Sequence, residues 1–332
     1  MLDWLRTHGV DDVIMSCGFM ADGVRSVLGD GASLGIRLRY VEEPTPMGTG
    51  GALKYAEALL DERFLMLNGD TLTDIDLTGQ IERHAATGAL GTLGLYPVED
   101  PSRYGLVRLH DDGQVEGFVE KPSPEQARGA NTISAGAYVL ERSVLALLDP
   151  DTPASIERDV FPRLVGEGLH GYVHEGYWLD IGTPATYLEG TFDILEGTVA
   201  TAVGARMGDD RICVEEGVAT DGGRVIGSAL VERGVTIGPG AKVGPRAVLG
   251  AGVTLGAGTT VESSVVLPGA RIGAGCVLRG CVISAGVVLG DRTNIEDDVI
   301  LGEGVQVGAD NVLAHGARVF PGVALPDGAI RF

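Results

Sequence analysis

The apolar run Phe64-Leu-Met-Leu67 ends in Asn68-Gly69-Asp70. Consecutive apolar residues suit a strand covered on both faces. The Gly-Asp step sets a carboxylate at its carboxyl end, where open α/β sheets bind ligands. One carboxylate there can hold Mg²⁺ against phosphates, although Asp also serves plain turns and helix caps. A second candidate metal ligand, Asp180, lies in Tyr177-Trp-Leu-Asp-Ile-Gly-Thr-Pro184; a strand and turn with a core Trp explains that segment equally well. In Phe118-Val-Glu-Lys-Pro122, Glu120 and Lys121 are adjacent. Glu can accept hydrogen bonds from sugar hydroxyls, and Lys can meet a phosphate as a point charge. Two charges at a strand end also commonly face solvent. In Glu43-Pro-Thr-Pro-Met-Gly-Thr-Gly-Gly-Ala-Leu53, the glycines enter a helix and let backbone N–H groups approach a ligand; a loop leading into a helix is the plainer reading. Arg103-Tyr-Gly-Leu-Val107 and Asn131-Thr-Ile-Ser-Ala-Gly-Ala-Tyr-Val139 complete the set, with Gly136 in a strand-like run suggesting close approach of a ligand.

These residues need a frame, and residues 1–195 alternate helix-like and strand-like segments. Met1–His8 reads as the end of a helix, Asp12–Cys17 as a strand, Ala21–Leu28 as a helix and Ile36–Val41 as a strand. Gly50–Leu60 reads as a helix with Leu53, Ala56 and Leu60 on one face. The alternation predicts an α/β sandwich, followed by a linker over 196–222 and a third segment over 223–332.

That last segment repeats every six residues. Val225, Val231, Ile237, Val243, Leu249, Leu255, Val261 and Leu267 keep the spacing. Two five-residue steps follow around Ile272 and Leu278, and the phase resumes from Ile283 to Leu325. Small residues such as Ala241, Ala247, Cys276 and Cys281 stand two places before. A period of six fits neither helix nor plain strand. It predicts a triangular β-solenoid with one aliphatic residue per side of each coil. Cys276 and Cys281, in small-residue slots, are expected as buried free thiols.

The 332 residues carry 25 basic and 46 acidic side chains, a formal charge of −21. That excess argues against nucleic acid or an anionic membrane as partner. An anionic substrate must then be held by a few placed cations or a metal. The four cysteines lack metal-ligand spacing, and neither a signal peptide nor a transmembrane run stands out. A cytoplasmic protein is expected.

In this order, GTGGAL, LNGD, RYG, FVEKP, SAGAYV and WLDIGTP followed by hexads resemble the sugar-1-phosphate nucleotidyltransferases that carry a solenoid. The likeness covers nearly the whole chain, and mannose-1-phosphate guanylyltransferases are the nearest members. It implies a Rossmann-like nucleotidyltransferase domain followed by a left-handed parallel β-helix of hexapeptide repeats. It further implies that Asp70 and Asp180 hold Mg²⁺, Lys121 binds the sugar phosphate and Glu120 the sugar hydroxyls. Gly48, Thr49 and Gly50 would lie near the base, and Gly105 and Ser134 would face the sugar. The implied substrates are a nucleoside triphosphate and a sugar 1-phosphate, and the expected assembly is a homo-oligomer. Two departures stand out. Many relatives have Asn where this chain has Ser134. The family's GGxGTRLxPLTxxxPKP loop, which follows its first strand, is expected ahead of Met1, in an upstream stretch of about 25–40 residues. Formation of dTDP- or UDP-glucose, or a regulatory paralogue without catalysis, are the alternatives. An acyltransferase would need a solenoid base, for which only His315 is available there.

Overall fold

The computed structural model describes residues 1–18 and 20–331. It divides into two compact units, Met1–Trp178 and Leu179–Phe332.

In the first unit, helix α1 (Leu2–Thr7) leads into β1 (Asp12–Cys17), α2 (Ala21–Leu28) and β2 (Arg37–Glu42), with β1 and β2 parallel. Helix α3 (Gly48–Ala56) precedes β3 (Arg63–Leu67) and the short β4 (Thr71–Thr73). Helix α4 (Leu77–Thr87) then leads to β5 (Gly91–Pro97), the hairpin β6 (Gly105–Leu109) and β7 (Val115–Glu120), and the long β8 (Thr132–Glu141). A wide helical turn over Ile156–Val160 runs into α5 (Phe161–Leu164), followed by β9 (Leu169–Val173). The main sheet has the order β7-β6-β8-β5-β9. Strand β5 flanks β8 along one edge, while β6 meets the start of the other edge and β3 its end.

The switch between β6 and β3 bends β8. A register shift falls between Leu93 and Leu95 of β5, and Gly136 opposite takes φ +70°. Such an irregularity strands backbone carbonyls, and a buried one must find a donor. Gln80 of α4 supplies it: its amide nitrogen donates to Thr92 O (2.9 Å) and Ala137 O (3.0 Å). The Gln80 carbonyl in turn faces His174 Nε2 at 2.9 Å. Helix α4 is fixed by an Asp76 cap on Thr78 N–H (3.0 Å) and by Gly88 in the left-handed region at its end. The apolar core beneath contains Leu93, Leu95, Leu140, Leu145, Ile156 and Phe161, each with almost no exposure.

Strand and helix assignments made from sequence pattern hold to within two residues over 1–42. Helix α3 stops at Ala56, with a tighter turn over Glu57–Leu59 where one continuous helix to Leu60 was expected.

The second unit begins within β10 (Trp178–Asp180), continues with α6 (Pro184–Glu196), and then winds into three parallel sheets of seven, seven and six strands. Thr183 caps α6 reciprocally with Thr186, and Gly197 ends it in the left-handed region. The first solenoid strand, Ile212–Val214, precedes the aliphatic ladder. Its Val214 stands in register with the inward Val231, but Thr220 takes the next ladder position, so the aliphatic period does not reach back to it.

Inside, Ile237, Val243, Leu249, Leu255 and Val261 stack into one continuous core with the later ladder residues. One ladder position needs correction. Leu267 is only partly buried, and Val266, fully buried and paired with Leu249 and Ile283, is the inward residue. The first five-residue step therefore lies between Val261 and Val266. The second lies between Leu278 and Ile283, so two coils shorten from eighteen residues to seventeen. Cys276 and Cys281 are buried and unbridged, and burial pushes the Cys281 thiol up to about 12. His315 is exposed on a turn.

Candidate active site

The β-hairpin and β8 bring three separate sequence motifs into one row. Glu120 at the end of β7 pairs with Gly105 at the start of β6. Leu106 pairs antiparallel with Ile133, which sets Gly105 opposite Ser134. Residues directly opposite across a sheet project to the same face. Glu120 and Ser134 therefore share a face, separated by a residue without a side chain. A Cβ on Gly105 would lie 2.6 Å from the Phe118 ring and 3.0 Å from Glu120 Oε2. Glycine at 105 is thus what leaves that gap open.

Burial, and after it the nearby Glu157, hold the Glu120 carboxyl above its ordinary range, while Arg158 and Lys121 oppose the shift. Lys121 follows directly. It is exposed and sits in the left-handed region at φ +51°, with its N–H donating to Tyr104 O at 3.0 Å. A non-glycine residue held there is strained, as active-site residues often are.

Asp70 stands on the turn after β3, exposed. Asn68 two places earlier closes the strand, its N–H donating to Gly136 O at 2.8 Å. Gly136 has a packing reason of its own: a Cβ there would meet the Asn68 side chain at 2.7 Å. The close approach expected at Gly136 is made by Asn68. Trp178 donates from its ring nitrogen to Ala135 O (2.8 Å) and packs edge-on against Tyr104 at 5.2 Å. Asp180 lies past the division, in the second unit, with one oxygen accepting from Gly182 N–H at 2.8 Å.

The glycine-rich entry to α3 uses its N–H groups internally. Gly50 and Gly51 both donate to Ala154 O. A Cβ on Gly48 would sit 2.6 Å from that same oxygen, and one on Gly51 2.8 Å from Thr152 O. The glycines let the 152–156 segment pack tightly, so backbone donors at 50 and 51 are not open to a ligand. Thr49 Oγ1 donates to Glu157 Oε2 at 2.6 Å and accepts from Ile156 N–H at 3.0 Å.

Glu157, Tyr138 and Asn68 were not singled out from the sequence as site residues. The available signal was the polar pair Ser155 and Glu157 flanking Ile156 ahead of the apolar Val160-Phe161.

No group of three or more His, Cys, Asp or Glu among the described residues could by itself hold a metal ion. Mg²⁺ commonly binds through one or two carboxylates plus substrate phosphates and water. Asp70 is exposed on a tight turn, and Asp180 has one oxygen engaged by Gly182 N–H. No helix among the described residues is long and apolar enough to cross a membrane.

Residues 1–197 match the family model described as nucleotidyl transferase, and residues 225–327 match that of the GMPPB C-terminal domain. The chain belongs to the nucleotidyl transferase family: an α/β nucleotidyltransferase domain followed by a parallel β-solenoid. Over its whole length it is similar to the mannose-1-phosphate guanylyltransferase of Mycobacterium tuberculosis, 34% identical over 100% of this chain and 88% of that protein. Mannose-1-phosphate guanylyltransferase 1 of Arabidopsis thaliana is 31% identical over 96% of this chain and 86% of its own. A crystal structure from Bacillus anthracis, described as a glucose-1-phosphate thymidylyltransferase, shares the fold. Its TM-score is 0.51 at 23% identity, over 57% of this chain and 78% of that one.

Proposed function

We propose that the protein joins mannose 1-phosphate to GTP, forming GDP-mannose and pyrophosphate. A phosphate oxygen of the sugar 1-phosphate attacks the α-phosphorus of the triphosphate. The bond from that phosphorus to the β-phosphate bridge breaks, and pyrophosphate leaves with the electron pair. Lys121 meets the sugar phosphate. Glu120 and Ser134 take sugar hydroxyls across the gap at Gly105, and Gly136 lends β8 its bend. Gly48, Thr49 and Gly50 border the base. Asp70 and Asp180 are the carboxylates that would hold Mg²⁺, which when bound neutralises phosphate charge. Catalysis then consists mainly of positioning and charge neutralisation. The protein would act in the cytoplasm as a homo-oligomer.

The observation that carries this reading is the row Glu120–Gly105–Ser134 with Lys121 next to it. Residues from three motifs meet on one sheet face in the arrangement that sugar and phosphate binding needs. The base and sugar rest on full-length similarity to mannose-1-phosphate guanylyltransferases.

Pyrophosphate release, measured for GTP, dTTP and UTP with mannose 1-phosphate and glucose 1-phosphate, tests it. The highest kcat/KM is expected for GTP with mannose 1-phosphate. A higher value for dTTP or UTP with glucose 1-phosphate would reassign the substrates, and no release with any pair would refute the reading.

A further inference from the structure

Glu157 occupies a wide helical turn in which Phe161 N–H donates to Ile156 O, five residues back. Turns of this kind are rare and concentrate at functional sites. The directions of the hydrogen bonds around Glu157 follow from what each group can do. Thr49 Oγ1 already accepts from Ile156 N–H, and its own proton goes to Glu157 Oε2. Ser155 Oγ accepts from Arg158 N–H and donates to the same carboxylate oxygen at 2.7 Å. Glu157 Oε2 thus accepts two hydroxyl protons, as a carboxylate oxygen can.

The same carboxylate faces the hydroxyl of Tyr138, a residue 1% exposed whose ring stacks edge-on with Phe161 at 4.9 Å. Burial, followed by Glu157, pushes the phenol well above its ordinary range, so Tyr138 stays protonated. An ionised carboxylate only accepts. With the Tyr138 proton turned toward Glu157, the 2.9 Å contact between Tyr138 and Ser134 is made with the proton of Ser134. Having given that proton inward, the half-buried Ser134 hydroxyl offers only lone pairs to the face it shares with Glu120.

We propose that Glu157 is a positioning residue that sets the hydrogen-bond polarity of the sugar subsite through Tyr138 and Ser134, and ties that subsite to Thr49. This rests on the reading of the Glu120–Gly105–Ser134 row as the sugar subsite. The subsite is then lined by two acceptors, and the sugar it takes must present O–H donors to both. The link to Thr49 adds a mechanical connection between the sugar side and the glycine-rich entry to α3.

The test is Glu157→Gln, which keeps the shape and can still accept from Thr49. Its amide donates towards Tyr138, and Ser134 becomes a donor. Calorimetric titration with mannose 1-phosphate should show binding weakened about tenfold, the usual scale for misdirecting a buried hydrogen bond to a charged group. The melting temperature should stay near wild type, and KM for the sugar phosphate should rise while kcat changes little. Tyr138→Phe should weaken binding similarly, and combining the two should cost little more than either alone, because they act through one path. Equal binding by wild type and Glu157→Gln, or losses that simply add, would overturn the proposal and leave the subsite reading standing. Absence of sugar 1-phosphate binding by wild type would overturn both. Should Glu157→Gln fail to fold, Tyr138→Phe alone decides: weaker binding supports the relay, and unchanged binding sinks it.

Discussion

Lys121 and Asp70 are expected to fail differently when removed. In the proposed reaction Lys121 is a point charge on one substrate, so Lys121→Ala should raise KM for the sugar 1-phosphate by roughly 30-fold and leave KM for the triphosphate within about threefold. Asp70, as a proposed holder of Mg²⁺ against the reacting phosphates, should on replacement by Ala lower kcat by about two orders of magnitude. Separate KM determinations for each substrate would check the pair; a Lys121→Ala variant that loses triphosphate affinity as much as sugar phosphate affinity would contradict the assignment. At this scale the sequence was most informative where residues adjoin, as in Phe118-Val-Glu-Lys-Pro122, and least where they meet through pairing. Nothing in the chain states that Gly105 stands opposite Ser134, because strand neighbours are decided by the whole sheet. Glu157 was missed for a related reason: its partners Thr49 and Tyr138 are distant in sequence, and a Glu beside Ser155, Arg158 and Asp159 resembles any surface carboxylate.

Elements were legible where a period identified them, and the bend in β8 was not. Gly136 announced an irregularity, but only the hydrogen bonds show that Gln80 of α4 closes it, backed by His174 just past β9. That closure has a pH signature. His174 is 2% exposed, and its Nε2 proton is committed to the Gln80 carbonyl, whose amide already donates twice. Its Nδ1 is buried without a partner. Burial lowers its pKa to about 4, with Asp76 opposing and His8 adding to the shift. The unfolded chain takes up a proton near pH 6.5 that the folded chain refuses until about pH 4. Stability is therefore complete above pH 6.5, declines as pH falls through that window, and levels off below it. The expected loss is about 3 kcal/mol. His174→Gln should remove this slope. Urea midpoints measured between pH 7 and pH 4 on both proteins would show it, and parallel curves would mean that His174 is not the group. The solenoid illustrates the opposite limit. Its hexads named nearly every inward residue, and Leu267 was misplaced because Val265, Val266 and Leu267 are all aliphatic, so composition could not say where the short step fell.

At the scale of the whole molecule, the charge of −21 acts on every anion that approaches. Both proposed substrates are anionic, so the long-range field opposes capture while Lys121 favours it at short range. Salt separates the two. The Debye length is about 30 Å at 0.01 M and about 8 Å at 0.15 M. At low salt the entire acidic surface repels the incoming phosphate, and at physiological salt only groups near the subsite act. Raising salt over that range should therefore speed association of mannose 1-phosphate several-fold, opposite to a protein with a basic steering patch. The two tryptophans are Trp4 and Trp178, and Trp178 packs on Tyr104, next to Gly105 of the proposed sugar row. Stopped-flow quenching of tryptophan fluorescence at several salt concentrations gives the rate constant directly. An association rate that falls as salt rises would show that local cations outweigh the acidic field at a distance, and that the anions are steered to the site rather than admitted against repulsion.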